Sequence, residues 1–385
     1  MNVKTILLII IFVILLLMFY YVYRETNNVI NLNKNITNKI KSDQKFLPLR
    51  VLPANAKVLT DNLHTVWEVA SIGNGEYLVT ERPGNVKLVS PIPERNKTFP
   101  IPGVFYNMEA GMLGLAVHPD FANNRYFYIY YTTIINGQIT NQIVRYRLTD
   151  DLNITDRYII LDQIPGASQH NGGRLAFGPD GYLYATAGDA DLPRLAQDTN
   201  SLGGKILRMT DEGEIPPDNP FSNFVYSYGH RNPQGLAWDG QGGLWSTEHG
   251  PQGHDKINYI VNGGNYGWPN AYVASVPSAP YVERQGPIIA PYLSSGQNTW
   301  APAGATVIGN TLYFGGLRGS AIFALDLTDP EKKLYQYYHN VFGRIRAVTK
   351  DESNLVIGTS NLDGWGQPKQ GDDMVIYLKQ VPVPN

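Results

Sequence analysis

The sequence predicts an all-β protein, a six-bladed β-propeller. Three observations carry this. A strand–turn–strand unit recurs six times. Gly 38, Pro 26 and Tyr 25 are high counts, as expected of many short strands joined by tight turns. Pro and Gly also interrupt nearly every window long enough for a helix.

The six copies follow in order. The first is Val66-Trp-Glu-Val-Ala70, the turn Gly73-Asn-Gly75, then Tyr77-Leu-Val-Thr80 and Asn85 to Val89. The second runs through Leu113 to Val117, Tyr126 to Tyr131 and Gln142 to Arg147. The third has Arg174 to Phe177, the turn Pro179-Asp-Gly181, Tyr182 to Thr186 and Lys205 to Met209. The fourth has Gln234 to Trp238, Leu244 to Thr247 and Asp255 to Ile260. The fifth has Gly304 to Ile308, Thr311 to Phe314 and Ala321 to Leu325. The sixth has Arg346 to Thr349, Leu355 to Gly358 and Met374 to Leu378. A spacing of about 40–70 residues suits propeller blades. One small sheet cannot bury both faces alone, but sheets packed radially can.

Composition narrows function. Apolar residues at 43% and charged residues at 17% mark a globular chain. A net charge of -2 provides no footprint for nucleic acid. With Cys 0 there are no disulfides, thiolate metal sites or cysteine nucleophiles.

The N-terminus stands apart. Residues 5–23 form an almost unbroken apolar run between Lys4 and Arg24, long enough to cross a bilayer as a helix. Phe19, Tyr20 and Tyr21 occupy the positions where a small-residue cleavage site belongs. Residues 1–24 are therefore expected to be a transmembrane signal anchor. Residues 25–48 are polar and unpatterned and read as a tether, leaving 49–385 as the propeller.

Function in a propeller sits in the loops. Gln169-His170-Asn-Gly-Gly-Arg174 is followed by Gly188-Asp189, a pattern in which the carboxylate can hold His170 in one tautomer as a general base. A histidine that only packs the turn is the simpler alternative. Gly229-His-Arg-Asn-Pro-Gln-Gly235 presents Arg231 and Asn232 on a glycine-bounded bend, suited to stabilising negative charge on oxygen. Glu248-His-Gly-Pro-Gln-Gly-His-Asp255 gathers oxygens that suit Ca²⁺, with Gly250 and Pro251 bending the chain so that carbonyls point at an ion. Leu317-Arg-Gly319 and Gly343-Arg-Ile-Arg346 place guanidiniums at equivalent points of two blades. Arg344 and Arg346 would share one side of a strand, where such pairs bind carboxylates. GxGxxG, P-loop and GxSxG motifs are absent, so nucleotide and serine-hydrolase readings lose their usual support.

These motifs, in this order, resemble the PQQ-dependent glucose/sorbosone dehydrogenase family. The strongest stretch runs from Tyr228-Gly-His-Arg-Asn-Pro-Gln-Gly-Leu-Ala237 through Glu248-His-Gly-Pro251 to Gly263-Gly-Asn-Tyr-Gly-Trp-Pro269. Gly111 to Phe121 and His170-Asn-Gly-Gly-Arg-Leu175 support it. The resemblance implies that His170 takes the proton from a sugar's anomeric hydroxyl, that Asp189 orients it, and that hydride passes to PQQ. It implies that Arg231 and Asn232 contact the quinone, that carbonyls of Gly250 and Pro251 hold Ca²⁺, and that Arg344 and Arg346 meet the cofactor's carboxylates.

Two positions depart from the family pattern. Arg318 stands where soluble glucose enzymes place a lysine near the cofactor, and the two cations are not interchangeable. Glu109 stands where the family often has glutamine, and puts a carboxylate beside the cofactor at the pocket mouth. The short stretch from Asn270 to Trp300 implies an open pocket taking monosaccharide or disaccharide aldoses. An external electron acceptor and an extracytoplasmic, membrane-anchored location follow from the same likeness. Two other readings stay open: a propeller that only binds a partner, and a metal-dependent lactonase using Glu109 and Asp255.

Overall fold

The computed structural model describes residues 50–270 and 287–384. The expected anchor and tether, residues 1–24 and 25–48, lie outside the described residues. So does most of the short stretch after Asn270.

The described residues form six four-stranded antiparallel sheets. The innermost strands are Val66–Gly73, Met112–Val117, Leu175–Phe177, Asn232–Trp238, Pro302–Ile308 and Ile345–Asp351, belonging to blades 1 to 6. Each packs beside the next, and the sixth returns to the first. This is the expected propeller, with a fourth strand in every blade.

Strand alternation explains how the blades stack. In Tyr126–Ile135, Tyr128 and Tyr130 point into the core shared with Leu175, Leu183 and Leu207 of blade 3. Phe127, Ile129 and Tyr131 point the other way, against Leu78, Val86 and Leu88 of blade 1. A run of consecutive apolar residues is thus a strand buried on both faces. Turns are set locally: Asn74-Gly75 and Asn136-Gly137 both hold positive φ, the type I′ geometry that joins two-residue hairpins.

Closure uses the strand that precedes blade 1. Ala56–Thr60 pairs with Val375–Leu378, Ala56 opposite Leu378, as the outer strand of blade 6. The ring is closed by hydrogen bonds between distant segments, which covers a strand edge that would otherwise be open.

Antiparallel pairing brings the start of each inner strand beside the end of the second strand. Val66 faces Glu81, Asn232 faces His249, and Ile345 faces Thr359. All six blades therefore present equivalent corners to one mouth of the central axis. A cavity of about 350 Å³ opens there. A second, of about 620 Å³, opens at the other mouth, where the inner strands end. Between them, Arg174 is ion-paired to Glu68, donates Nε–H to the Gln234 carbonyl at 2.8 Å, and stacks 4.2 Å over Trp67.

Candidate active site

His170 begins the loop that leads into blade 3. Its φ of 55° lies in the left-handed region, unfavourable for a residue with a side chain. Gly188 allows the close approach behind it, since a Cβ there would lie 1.9 Å from the His170 carbonyl oxygen. Asp189, at the end of the second strand, then reaches the ring: His170 Nδ1 lies 2.8 Å from its Oδ1. The other oxygen, Oδ2, accepts Trp268 Nε1–H at 2.7 Å. Asp189 is fully buried, so the imidazole is held through Nδ1, while Nε2 has no hydrogen-bond partner among the described residues. The pairing expected from sequence is formed.

A second carboxylate joins it. Asp191 Oδ1 is 3.0 Å from the same Nδ1, so a protonated ring would face two negative groups. Sequence reading missed Asp191; its spacing of two from Asp189 was the available signal.

Glu109 ties this corner to blade 4. Its Oε2 accepts the His170 backbone N–H at 3.0 Å and lies 3.5 Å from Asn232 Nδ2. Burial raises its pKa, but the His249 and His170 rings, the His170 N–H and Arg346 outweigh that and leave the carboxyl below its ordinary value. It is ionised at neutral pH. Asn232 Oδ1 in turn accepts the Gly172 N–H at 3.0 Å. The Arg231 carbonyl accepts the Asp189 N–H at 2.8 Å, and its guanidinium lies 5.5 Å from the Trp268 ring centroid.

The cationic side lies on blades 5 and 6. Arg318, Arg344 and Arg346 line the same cavity as Glu109. Arg344 precedes the strand that begins at Ile345, rather than lying within it, and a bulge follows. Both arginines nevertheless converge on Asp363: Arg344 Nε donates at 2.7 Å, and Arg346 NH2 lies 4.0 Å away. Arg346 also donates to Gln234 Oε1 at 3.0 Å. Burial pushes its pKa down to about 10, leaving it charged. Arg318 is exposed and has no side-chain partner among the described residues.

The loop from Glu248 to Asp255 corrects one expectation. Its carboxylates are not open to a cation. Glu248 accepts the Arg231 N–H at 2.6 Å and Asn258 Nδ2 at 3.0 Å, and faces His230 Nδ1 at 3.0 Å. Asp255 accepts N–H groups of Gly250, Trp300 and Ala301 at 3.0, 2.7 and 2.8 Å. The Gly250 carbonyl faces Arg231 NH1 at 3.2 Å, and Pro251 is buried beside it. The lactonase reading loses Asp255 for the same reason. His249 also lines the cavity; its buried Nε2 has no hydrogen-bond partner, and burial pushes its pKa down to about 4, against Asp255 and Glu109.

The residues singled out from the sequence gather around this mouth, Gly250 through its contact with Arg231 and Pro251 next to it in the chain. Glu109, Arg318, Arg344 and Arg346 line the cavity, while His170, Asp189, Arg231 and Asn232 form its connected rim. Trp67, Gln234, His249 and Trp268 were not foreseen as site residues.

The sequence profile of the Glucose / Sorbosone dehydrogenase family matches residues 63–365. An uncharacterised protein of Synechocystis is 33% identical over 83% of this chain and 82% of its own length. The aldose sugar dehydrogenase YliI of Escherichia coli is 38% identical, over 56% of this chain and 62% of that enzyme. The PQQ-bound structure of an aldose sugar dehydrogenase from Streptomyces coelicolor superposes with a TM-score of 0.75 at 34% identity, covering 85% of this chain and 99% of the other.

Proposed function

The chain belongs to the glucose/sorbosone dehydrogenase family, and from that membership we propose that it oxidises aldoses at the anomeric carbon to lactones, with PQQ as electron acceptor. The observation that carries this is the joining, at one mouth, of a carboxylate-held His170 with a cavity lined by Arg318, Arg344 and Arg346.

The residues fit PQQ, a flat aromatic quinone bearing several carboxylates. Three guanidiniums face the cavity against one carboxylate, Glu109. Trp67 supplies a flat aromatic wall, and the unpartnered Nε2 of His249 is an open polar position. Arg344 and Arg346 would hold carboxylates, with Arg318 at the rim. When bound, PQQ takes up the hydride lost by the sugar. The carbonyls of Gly250 and Pro251 are the oxygens of this chain that would hold Ca²⁺.

The chain's own residues supply proton transfer and charge. His170 Nε2 accepts the proton of the anomeric hydroxyl. Asp189 and Asp191 hold Nδ1–H and stabilise the imidazolium that forms. Arg231 and Asn232 stabilise negative charge on oxygen. The sugar loses one hydride and one proton and becomes a lactone. Electrons then leave to an external acceptor. Monosaccharides and disaccharides are both substrates, on the strength of the short segment after Asn270.

Reconstitution tests this. Metal-stripped protein should oxidise aldoses only after both PQQ and Ca²⁺ are added. Bound quinone should show an absorbance shift that aldose then bleaches, and lactone should precede the free acid. Full dye-linked turnover without added PQQ would overturn the reading.

We further propose that residues 5–23 tether the propeller on the extracytoplasmic side. The apolar run of that segment supports this; among the described residues no helix is long and apolar enough to cross a membrane. Protease treatment of intact cells should release the propeller. Digestion only after lysis would exclude that topology.

A further inference from the structure

Five of the six tryptophans are buried or half-buried, and each has an aromatic or cationic neighbour, such as Arg174 at Trp67 and Tyr184 at Trp238. Trp365 differs. It is 52% exposed, and its indole has no such neighbour among the described residues. Yet it lines the cavity, on the blade 6 side of the mouth.

Its loop is built rather than loose. The Trp365 N–H donates to Asp363 Oδ1 at 3.0 Å, while Asp363 Oδ2 accepts Arg344 Nε–H at 2.7 Å. Gly366 packs so closely that a Cβ would lie 2.2 Å from the Asn361 carbonyl oxygen. Asn361 is itself anchored, its N–H donating to Asp373 at 2.6 Å and its Oδ1 accepting the Arg344 N–H at 2.9 Å. The loop thus holds a large apolar ring half in water at the edge of the cavity.

Blade 6 stands opposite blade 3 in a ring of six, so Trp365 and His170 flank the mouth from opposite sides. Only the reducing-end ring of an oligosaccharide carries a free anomeric hydroxyl. That ring must lie at His170, and any further ring must extend away from it. The C–H faces of a pyranose stack on an indole. Arg318, exposed on the neighbouring blade and lining the same cavity, can donate to sugar hydroxyls.

We infer that Trp365 forms a distal sugar subsite, which takes the second ring of a disaccharide or longer aldose. The inference rests on reading the chain as an aldose dehydrogenase.

The test compares cellobiose and glucose on the full, PQQ-loaded chain and its Trp365→Ala and Trp365→Phe variants. The ratio of kcat/KM for cellobiose to that for glucose should fall about 3- to 10-fold in Trp365→Ala, through KM rather than kcat. Trp365→Phe should restore most of it. An unchanged ratio, including equal losses for both sugars, would overturn the subsite. Calorimetric titration of PQQ-free protein with cellobiose provides a readout independent of turnover. Weaker binding in Trp365→Ala supports the subsite, and equal or undetectable binding in both proteins counts against it. A wild-type protein that oxidises no aldose overturns the dehydrogenase reading instead, and the titration still decides the subsite.

Discussion

His170→Ala is expected to lower turnover by about 10²–10⁴-fold, the usual contribution of a positioned base, while PQQ affinity stays near that of the unaltered protein. The anomeric hydroxyl is a poor acid, so loss of hydride must be accompanied by removal of its proton. The imidazole is the group placed to do this: Nδ1 is held at 2.8 Å by buried Asp189 and at 3.0 Å by Asp191. PQQ affinity should depend instead on the arginines of blades 5 and 6. Asp189→Asn should have a smaller effect, because it disorients the base without deleting it. Asp191→Asn should have the smallest, since that carboxylate is half exposed and screened by water. Turnover and PQQ affinity measured on the same folded variant decide the matter. Near-native turnover per PQQ-loaded molecule of His170→Ala would reduce the histidine to a packing residue.

Glu68→Gln is expected to destabilise the fold by about 3–5 kcal/mol, as removal of one partner from a buried ion pair does. Arg174 is 3% exposed, and its ionic partner is Glu68. Burial already pushes the Arg174 pKa well down, and nearby Arg346 adds to this. Loss of the Glu68 charge would leave two guanidiniums facing each other near the axis with less compensation. Removing both charges with Glu68→Gln and Arg174→Met should cost less than the sum of the single changes. Denaturant midpoints for the four proteins form the cycle. Additive losses would mean that the pair contributes no coupling.

The fold was legible because blades are local objects. Each needs apolar strands at period 2 and turn residues with positive φ, and Asn74-Gly75 or Asn136-Gly137 announce such turns directly. Ring closure is a different matter. Ala-Lys-Val-Leu-Thr, residues 56–60, carries no mark that its partner is Val375–Leu378 at the far end of the chain. That pairing exists only once six blades have curved far enough to bring the ends together.

The site divides along the same line. His170, Asp189, Arg231, Asn232, Arg344 and Arg346 were visible because unusual polar residues in glycine-bounded loops stand out from strand and turn patterning. Their gathering at one mouth follows from antiparallel pairing repeated around an axis. Which oxygens stay open to a ligand was decided only in three dimensions. Glu248 and Asp255 looked like ligands for a cation, but backbone N–H groups and buried side chains claim them first, because a buried donor left unpaired is costly. The contact of Asp191 with His170 forms only when the first hairpin of blade 3 closes, and the Glu68–Arg174 pair only when the blades curve around the axis. The sequence by itself determined the blades, their turns and the unusual polar residues of the loops. The tertiary structure decided which of those groups meet and which remain free, because that depends on what the backbone and buried neighbours have already bound.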